Sequence, residues 1–148
     1  MVNFRAATMD DLPHVLTLMT DDVLGAAREG FDLAHYRQAF ERMEAEPDNT
    51  LIVGALDGRI VATYQLTFIS GLSLQAARRA QIETVRVASD LRGQGIGALL
   101  IDDAETRARA SGCALIQLTM NKSRTNTARF YQRLGFTPSH IGYKRDLI

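Results

Sequence analysis

Three glycines at alternate positions form the most informative segment of this sequence, Arg92-Gly93-Gln94-Gly95-Ile96-Gly97. Glycine adopts backbone conformations that turn several N–H groups toward one concavity, and such a concavity binds anions. A helical pattern follows the glycines, and the N-terminus of a helix carries about half an elementary positive charge. Arg92 can add a charge-assisted hydrogen bond. The segment therefore predicts a site for a pyrophosphate group.

Other glycine-rich motifs fit the segment less well. Gly93, Gly95 and Ala98 match a dinucleotide-binding pattern, but that pattern needs an acidic residue about 20 residues further on. The next predicted strand, 115–119, is followed by Met-Asn-Lys and offers no acid. A nucleotide-binding P-loop needs Gly-Lys-Ser or Gly-Lys-Thr after the glycines, and the sequence has neither. A turn that binds no ligand is the remaining alternative, although packing alone gives no reason for three glycines in one turn.

The flanking pattern predicts an α/β protein whose strands and helices position this loop. We predict strands at 2–6, 51–56, 60–68, 82–88, 115–119 and 142–147, and helices at 9–19, 32–46, 95–110 and 127–134. Apolar residues recur every three or four positions in the helices, and Asp57-Gly58 between two apolar strands indicates a hairpin. Thr8, with Asp11 three residues later, predicts a capping box at the start of the first helix. The predicted order is β-α-α-β-β-β-α-β-α-β, in a single domain over residues 1–148.

Composition limits the class of protein. A chain of 148 residues can bury one core, and no apolar run approaches the roughly 20 residues that cross a bilayer. The first residues do not resemble a signal peptide, and Cys113 is the single cysteine, so neither a disulfide nor a cysteine-based metal site is expected. A net charge of zero argues against nucleic-acid binding. We therefore expect a cytoplasmic protein without metal, nucleic-acid partner or membrane partner.

The zero net charge conceals an asymmetry along the chain. Residues 1–77 hold 5 Lys/Arg and 11 Asp/Glu, a net of −6, whereas residues 78–148 hold 12 and 6, a net of +6. Such asymmetry predicts an anionic ligand on the C-terminal half, and scatter of surface charge is the alternative. In addition, the predicted loop 69–79 carries Leu72 and Leu74. Exposed apolar residues of this kind can mark an interface, so we expect a homodimer.

Two segments resemble the GCN5-related N-acetyltransferases, and the likeness is to a small bacterial-type single-domain member. The segment 85–97, Val-Arg-Val-Ala-Ser-Asp-Leu-Arg-Gly-Gln-Gly-Ile-Gly, is similar to the central motif of that family. The segment 128–136, Ala-Arg-Phe-Tyr-Gln-Arg-Leu-Gly-Phe, resembles its Phe-Tyr-x-x-x-Gly-Phe motif. The resemblance implies a mixed, mostly antiparallel central sheet flanked by helices. It also implies transfer of an acetyl group from acetyl-CoA to a primary amine by direct attack in a ternary complex.

The same resemblance implies which residues hold the coenzyme. The expected set is Val85, Arg86, Val87, Arg92, Gly93, Gln94, Gly95, Ile96, Gly97 and Ala98. A backbone N–H at Val85 or Val87 would polarise the thioester carbonyl, and a bulge in the strand would free that donor. Family members often place an asparagine seven residues before the motif tyrosine. Here Arg124 stands at that position and Asn126 two residues later, so either is expected to contact the coenzyme.

Two catalytic residues follow from the resemblance and from their positions. Tyr131 corresponds to the tyrosine that protonates the departing thiolate, and packing of its ring in the core is the alternative. Glu83 is expected on the strand face of Val85 and Val87, where a carboxylate could deprotonate the incoming amine. The alternative for Glu83 is an ordinary solvated acid. A non-catalytic acyl-CoA sensor is the other function that this sequence could serve.

Overall fold

The computed structural model describes residues 1–21 and 32–148, which form two compact units, 1–117 and 118–148. In the first unit the strands are β1 (Asn3–Ala6), β2 (Asn49–Leu56), β3 (Arg59–Ile69), β4 (Arg79–Val87) and β5 (Leu115–Leu118, whose last residue begins the second unit). Its helices are α1 (Leu12–Thr20), α2 (Leu33–Ala45) and α3 (Ile96–Ala110), with 3-10 turns at Met9–Asp11 and Ser89–Leu91. The second unit contains α4 (Thr125–Arg133).

The five strands form one sheet in the order β1-β2-β3-β4-β5. The β1–β2, β2–β3 and β3–β4 pairs are all antiparallel. The β2–β3 hairpin turns at Asp57 and Gly58, which have φ of 50° and 80°. Two positive φ values are the signature of the turn that matches the twist of paired strands, so the sequence prediction of a hairpin is confirmed.

Helices cover both faces of this sheet. On one face, a buried cluster joins α1 and α2 to β2, and its members are Leu12, Val15, Leu16, Phe40, Leu51 and Val53. On the other face, the fully buried Tyr64 of β3 donates a hydrogen bond from its hydroxyl to Asp103 of α3, at 2.5 Å. Arg107 also donates to Asp103, at 2.8 Å, and to the carbonyl of Phe4, at 3.3 Å. This network fixes α3 against β1 and β3, and with it the loop that precedes α3.

A charged cluster fixes the chain where β1 leads into α1. The Arg5 guanidinium donates two hydrogen bonds to the Asp11 carboxylate, at 2.7 and 3.0 Å. Asp11 also accepts from the backbone N–H of Thr8 at 2.8 Å, as the predicted capping box requires. The Arg5 bond, opposed by burial, lowers the pKa of Asp11 to about 2.

Most predicted elements are found within a few residues of their expected bounds, but the final strand is not. Residues 142–147 form no strand, and Tyr143 and Leu147 are exposed. A strand exists only where a neighbouring strand accepts its backbone hydrogen bonds, and the side-chain pattern of a segment does not reveal that neighbour. The prediction of this last strand is wrong, and the described order ends on α4.

Candidate active site

The coenzyme loop, residues 92–97, connects the 3-10 turn Ser89–Leu91 to α3. Gly93 and Gly95 have φ of 79° and 83°, in the left-handed region that favours glycine. Apart from the chain neighbours, a Cβ added at either position would meet no atom of residues 1–21 or 32–148 within 4 Å. These two glycines are therefore required by the backbone conformation, and no described side chain fills the space beside them.

The N-terminus of α3 is arranged to receive an anion. Gly95 is the N-cap residue and provides no side-chain hydrogen bond, and the first turn contains no acidic residue. The first N–H groups of a helix have no partner within the helix, so a phosphate can accept hydrogen bonds from them. The helix dipole favours the same charge. Arg92 and Gln94 are exposed beside this terminus.

Strand β4 carries a bulge immediately upstream of the loop. Thr63 pairs with Arg86 and Gln65 pairs with Glu83, so one residue of β3 faces two residues of β4. Thr84 lies in the bulge with φ of 55°, an outlier for a β-branched residue. Strand β4 thus contains a bulge of the kind that would free a backbone donor, and bulges commonly lie beside active sites.

The bulge changes the face on which Glu83 lies. Glu83 pairs with Gln65 and Val87 pairs with Ala62, three residues away along β3, so Glu83 and Val87 lie on opposite faces. The prediction that they share a face is wrong, because it assumed unbroken alternation. Glu83 lies on the sheet face that α1 and α2 cover, and it is exposed there.

Several contacts hold the turn Ser89–Leu91 that leads into the coenzyme loop. The carboxylate of Asp21, at the end of α1, accepts a hydrogen bond from the backbone N–H of Ser89 at 3.1 Å. Arg59, at the start of β3, donates two hydrogen bonds of 2.8 Å to Asp90. Arg92 donates a long hydrogen bond to the carbonyl of Asp21, at 3.4 Å. Sequence reasoning did not find these contacts, because their partners are 31 to 71 residues apart.

The second unit contains the other predicted site residues. Tyr131 of α4 is buried, and its ring makes edge contacts with Phe130 and Phe136 at centroid distances of 5.1 and 5.6 Å. Arg124 is the N-cap residue of α4, and the exposed Asn126 accepts a hydrogen bond from Arg129 at 3.4 Å. The ring of Tyr131 therefore packs as a core residue would, whatever its hydroxyl does.

Metal-binding residues do not cluster in the described ranges 1–21 and 32–148, where no group of three or more His, Cys, Asp or Glu could hold an ion. Cys113 is half-buried and follows the end of α3. Among the helices formed by these residues, none has the length and apolar character needed to cross a membrane.

A helix-flanked sheet with a bulged strand, followed by a glycine loop at an uncapped helix N-terminus, defines an α/β protein with a place suited to an anionic ligand. Comparison with known families gives the class: residues 16–136 match the Acetyltransferase (GNAT) family. The chain belongs to this family, whose members use acetyl-CoA, and it is an acyl-CoA-dependent acetyltransferase.

Among the proteins similar to this chain, two are named as acetyltransferases and one as a transcriptional regulator. The chain is 28% identical over 143 residues to the aminoalkylphosphonate N-acetyltransferase of Salmonella typhimurium, covering 97% of this chain and 90% of the relative. It is 42% identical to a transcriptional regulator from Bacillus halodurans C-125, with a TM-score of 0.95 over 99% of this chain and 100% of that one. A putative acetyltransferase from Agrobacterium tumefaciens C58 is 28% identical, with a TM-score of 0.87 over 97% and 99%.

Proposed function

We propose that this protein transfers the acetyl group of acetyl-CoA to the primary amine of a small molecule or peptide while both substrates are bound. The amine nitrogen attacks the thioester carbonyl, the new C–N bond forms, and the C–S bond breaks to release the coenzyme thiolate. The amine loses a proton and the thiolate gains one. The observation that carries this proposal is the left-handed glycine pair at the uncapped N-terminus of α3.

The coenzyme is held by two adjacent parts of the first unit. The N–H groups of the loop and of the first turn of α3 bind the pyrophosphate, and Arg92 adds a charged donor. The pantetheine arm lies along β4, where the bulge at Thr84 interrupts the regular pairing. A backbone N–H at Val85 or Val87 stabilises the developing oxyanion, and one such donor is typically worth roughly 3 kcal/mol.

Two side chains carry the protons in this proposal. Tyr131 donates to the departing thiolate, since an ordinary phenol with a pKa near 10 is protonated at neutral pH. Glu83 accepts the proton of the amine, directly or through water. Its exposure on the α1 and α2 face supports this role, because a base must reach an acceptor that enters from solvent.

A change at the glycine pair tests the coenzyme site. Gly95→Glu would place a carboxylate beside the phosphates, so we expect coenzyme binding to be lost. Because any side chain at a φ of 83° strains the backbone, the matched control is Gly112→Glu. Gly112 follows the other end of α3, has φ of 76°, and likewise has open space at its Cβ.

Calorimetry with CoA, together with circular dichroism for the fold, distinguishes the outcomes. Gly112→Glu should bind CoA as the wild type does, and Gly95→Glu should be folded without binding it. A folded Gly95→Glu protein with unchanged affinity would overturn the assignment of the loop.

Two observations bear on the class of the acceptor amine, namely the charge of the N-terminal half and the name of one relative. The acidic N-terminal half supports a cationic amine, whereas the Salmonella relative is named for amines that carry a phosphonate. We propose that the acceptor is a cationic amine. An aminoalkylphosphonate should be tested in the same screen, because it represents the alternative class of acceptor.

The alternative that the sequence left open is a non-catalytic acyl-CoA sensor, which the regulator name of the Bacillus halodurans relative supports and membership of an acetyltransferase family opposes. A sensor would keep the coenzyme loop but would need neither the Tyr131 hydroxyl nor Glu83. Turnover of acetyl-CoA with any member of an amine panel would exclude the sensor.

We also propose a cytoplasmic location.

A further inference from the structure

Asp21 lies at a position that its own helix does not favour. It is the C-cap residue of α1, and the last turn of α1 contains no basic residue. A helix C-terminus carries partial negative charge, so a carboxylate there is repelled rather than stabilised. A reason for this residue must therefore come from outside α1.

The contacts of Asp21 supply that reason. Its carboxylate accepts from the backbone N–H of Ser89 at 3.1 Å, across 68 residues of sequence, and its carbonyl accepts from Arg92 at 3.4 Å. Hydrogen bonds from Ser89 and the charge of Arg92 also lower the pKa of Asp21, so the carboxylate is ionised at neutral pH. Asp21 thus contacts both ends of the segment that leads into the coenzyme loop.

The turn Ser89–Leu91 has no equivalent contact of its own. The residue before it is Ala88, which has no side-chain acceptor, and the turn has no side-chain cap. Asp21 supplies the missing acceptor from another element, as an N-cap residue does from within a helix. Arg59 holds the next residue, Asp90, through two hydrogen bonds of 2.8 Å. The turn is therefore attached to α1 through Asp21 and to β3 through Arg59.

We propose that Asp21 is a positioning residue for the coenzyme: by accepting from Ser89 it sets the path of residues 89–92, and so the placement of the phosphate-binding loop. This role rests on the proposed function, because it acts through the coenzyme loop. It does not require Asp21 to touch the coenzyme.

Two substitutions separate positioning from simple electrostatics. Asp21→Ala removes both the acceptor and the charge, whereas Asp21→Asn removes the charge and retains an acceptor oxygen. If the carboxylate acted only as a charge, each variant would bind the anionic coenzyme more tightly, because a repelling charge is gone. If Asp21 positions the loop, Asp21→Ala should weaken CoA binding by about threefold to tenfold, which lies within the range of the net contribution of one typical intramolecular hydrogen bond. Asp21→Asn should remain within about twofold of the wild type.

A truncated ligand shows whether the effect passes through the phosphates. CoA binding is measured by calorimetry, and the weaker binding of pantetheine, which lacks the pyrophosphate, by NMR titration. Asp21→Ala should lower the affinity for CoA and leave that for pantetheine within about twofold. Glu41→Gln, an exposed acid on α2, is the control for loss of one negative charge.

Three outcomes would overturn the proposal. The first is an Asp21→Ala protein that binds CoA as tightly as the wild type or more tightly. The second is an equal loss of affinity for CoA and for pantetheine in Asp21→Ala. The third is an Asp21→Asn protein whose affinity for CoA is as low as that of Asp21→Ala. A wild-type protein that fails to bind CoA would instead contradict the proposed function.

Discussion

Thr84 shows how one residue can decide the geometry of the site. A left-handed, β-branched residue costs of order 1–3 kcal/mol, and such strain persists only where the surrounding structure imposes it. Here the buried partner strand β3 and the fixed register on both sides of the bulge impose it. Threonine is an ordinary strand residue, so nothing at position 84 signals a positive φ. The site could therefore be predicted at its glycines, but the side-chain directions along β4 could not.

At the same scale, a substitution can separate the contribution of the Tyr131 hydroxyl to catalysis from the contribution of its ring to packing. Tyr131→Phe keeps the buried ring and its contacts with Phe130 and Phe136, and it removes only the proton donor. We expect CoA affinity to be retained and kcat to fall by about 10²–10⁴-fold, the usual contribution of a positioned general acid. Steady-state kinetics and calorimetry measure the two quantities.

The control is Tyr143→Phe, which removes a hydroxyl from a side chain that is 92% exposed. If the Tyr131→Phe enzyme keeps its kcat within a factor of two, Tyr131 serves packing alone and the thiolate is protonated from elsewhere.

The Asp11 carboxylate makes stability depend on pH in a defined direction. Its pKa in the folded protein is about 2, below the ordinary 3.8, because Arg5 and Thr8 bond to the ionised form. A lowered pKa stabilises the folded state at pH above the ordinary value, and that contribution is lost as the pH falls toward the folded value. The shift corresponds to roughly 2 kcal/mol at neutral pH.

Asp11→Asn should therefore lower the free energy of unfolding by a similar amount at pH 7. The difference from wild type should shrink between about pH 5 and pH 2, and urea denaturation at several pH values measures it. A difference that is the same at pH 7 and pH 2.5 would mean that the Arg5–Asp11 pair does not cause the effect.

At the scale of elements, the sequence predicted those turns, caps and helices that are determined by residues close together in the chain. The hairpin at Asp57-Gly58, the cap at Thr8 and the helix following the glycine loop are encoded by a few neighbouring residues, and all three are found. The predicted strand 142–147 failed because pairing depends on a distant partner. The β3–β4 connection was predicted only as a loop, and it contains three successive left-handed residues, Leu74, Gln75 and Ala76.

That left-handed turn supports a homodimer. Its base is held by Arg78, which donates to Ser70 at 2.9 Å and to Asp48 at 3.2 Å. A fixed base presents Leu72 and Leu74, which are 92% and 70% exposed, in one arrangement. We predict that these two exposed leucines form the centre of an apolar contact between two copies of the chain, and a stable interface needs about 800 Å² from each partner around it.

The expected result is a dimer by light scattering at micromolar concentration and a monomer for Leu72→Lys. Leu72 has an ordinary φ of −103°, so the substitution adds no backbone strain. Leu99→Lys, at another exposed leucine, should leave the dimer intact. A wild-type protein that is monomeric under these conditions would rule the dimer out.

At the scale of the whole molecule, charge is divided along the chain rather than balanced locally. The first 77 residues carry a net −6 and the remainder +6. The positive part includes the coenzyme loop, as expected for residues that meet a highly anionic coenzyme. The negative part includes Asp21 and Asp32 beside the link between α1 and α2, while Asp22 and Glu29 lie outside the described residues. Asp21 and Asp32 each accept a backbone hydrogen bond, from Ser89 and His35, and hydrogen bonding leaves their negative charge in place.

This division of charge leads us to predict a cationic acceptor. Acids of the N-terminal half would raise the local concentration of an ammonium substrate and speed its encounter with the enzyme. Glu83, exposed on the same sheet face as α1, would then remove the proton, because only the neutral amine attacks the thioester. We expect polyamines, aminoglycoside-like compounds and peptide amines to have a higher kcat/KM than acidic amines.

Measuring kcat/KM for cationic and anionic amines at low and high salt tests this prediction. The advantage of the cationic amines should decline with salt, because screening acts over about 8 Å at physiological ionic strength. It should also decline when Asp32 is replaced by Asn, which keeps an acceptor for the N–H of His35 while removing one negative charge. A consistent preference for an anionic acceptor such as glutamate, at both salt concentrations, would show that the division of charge serves the coenzyme alone and plays no part in selecting the amine.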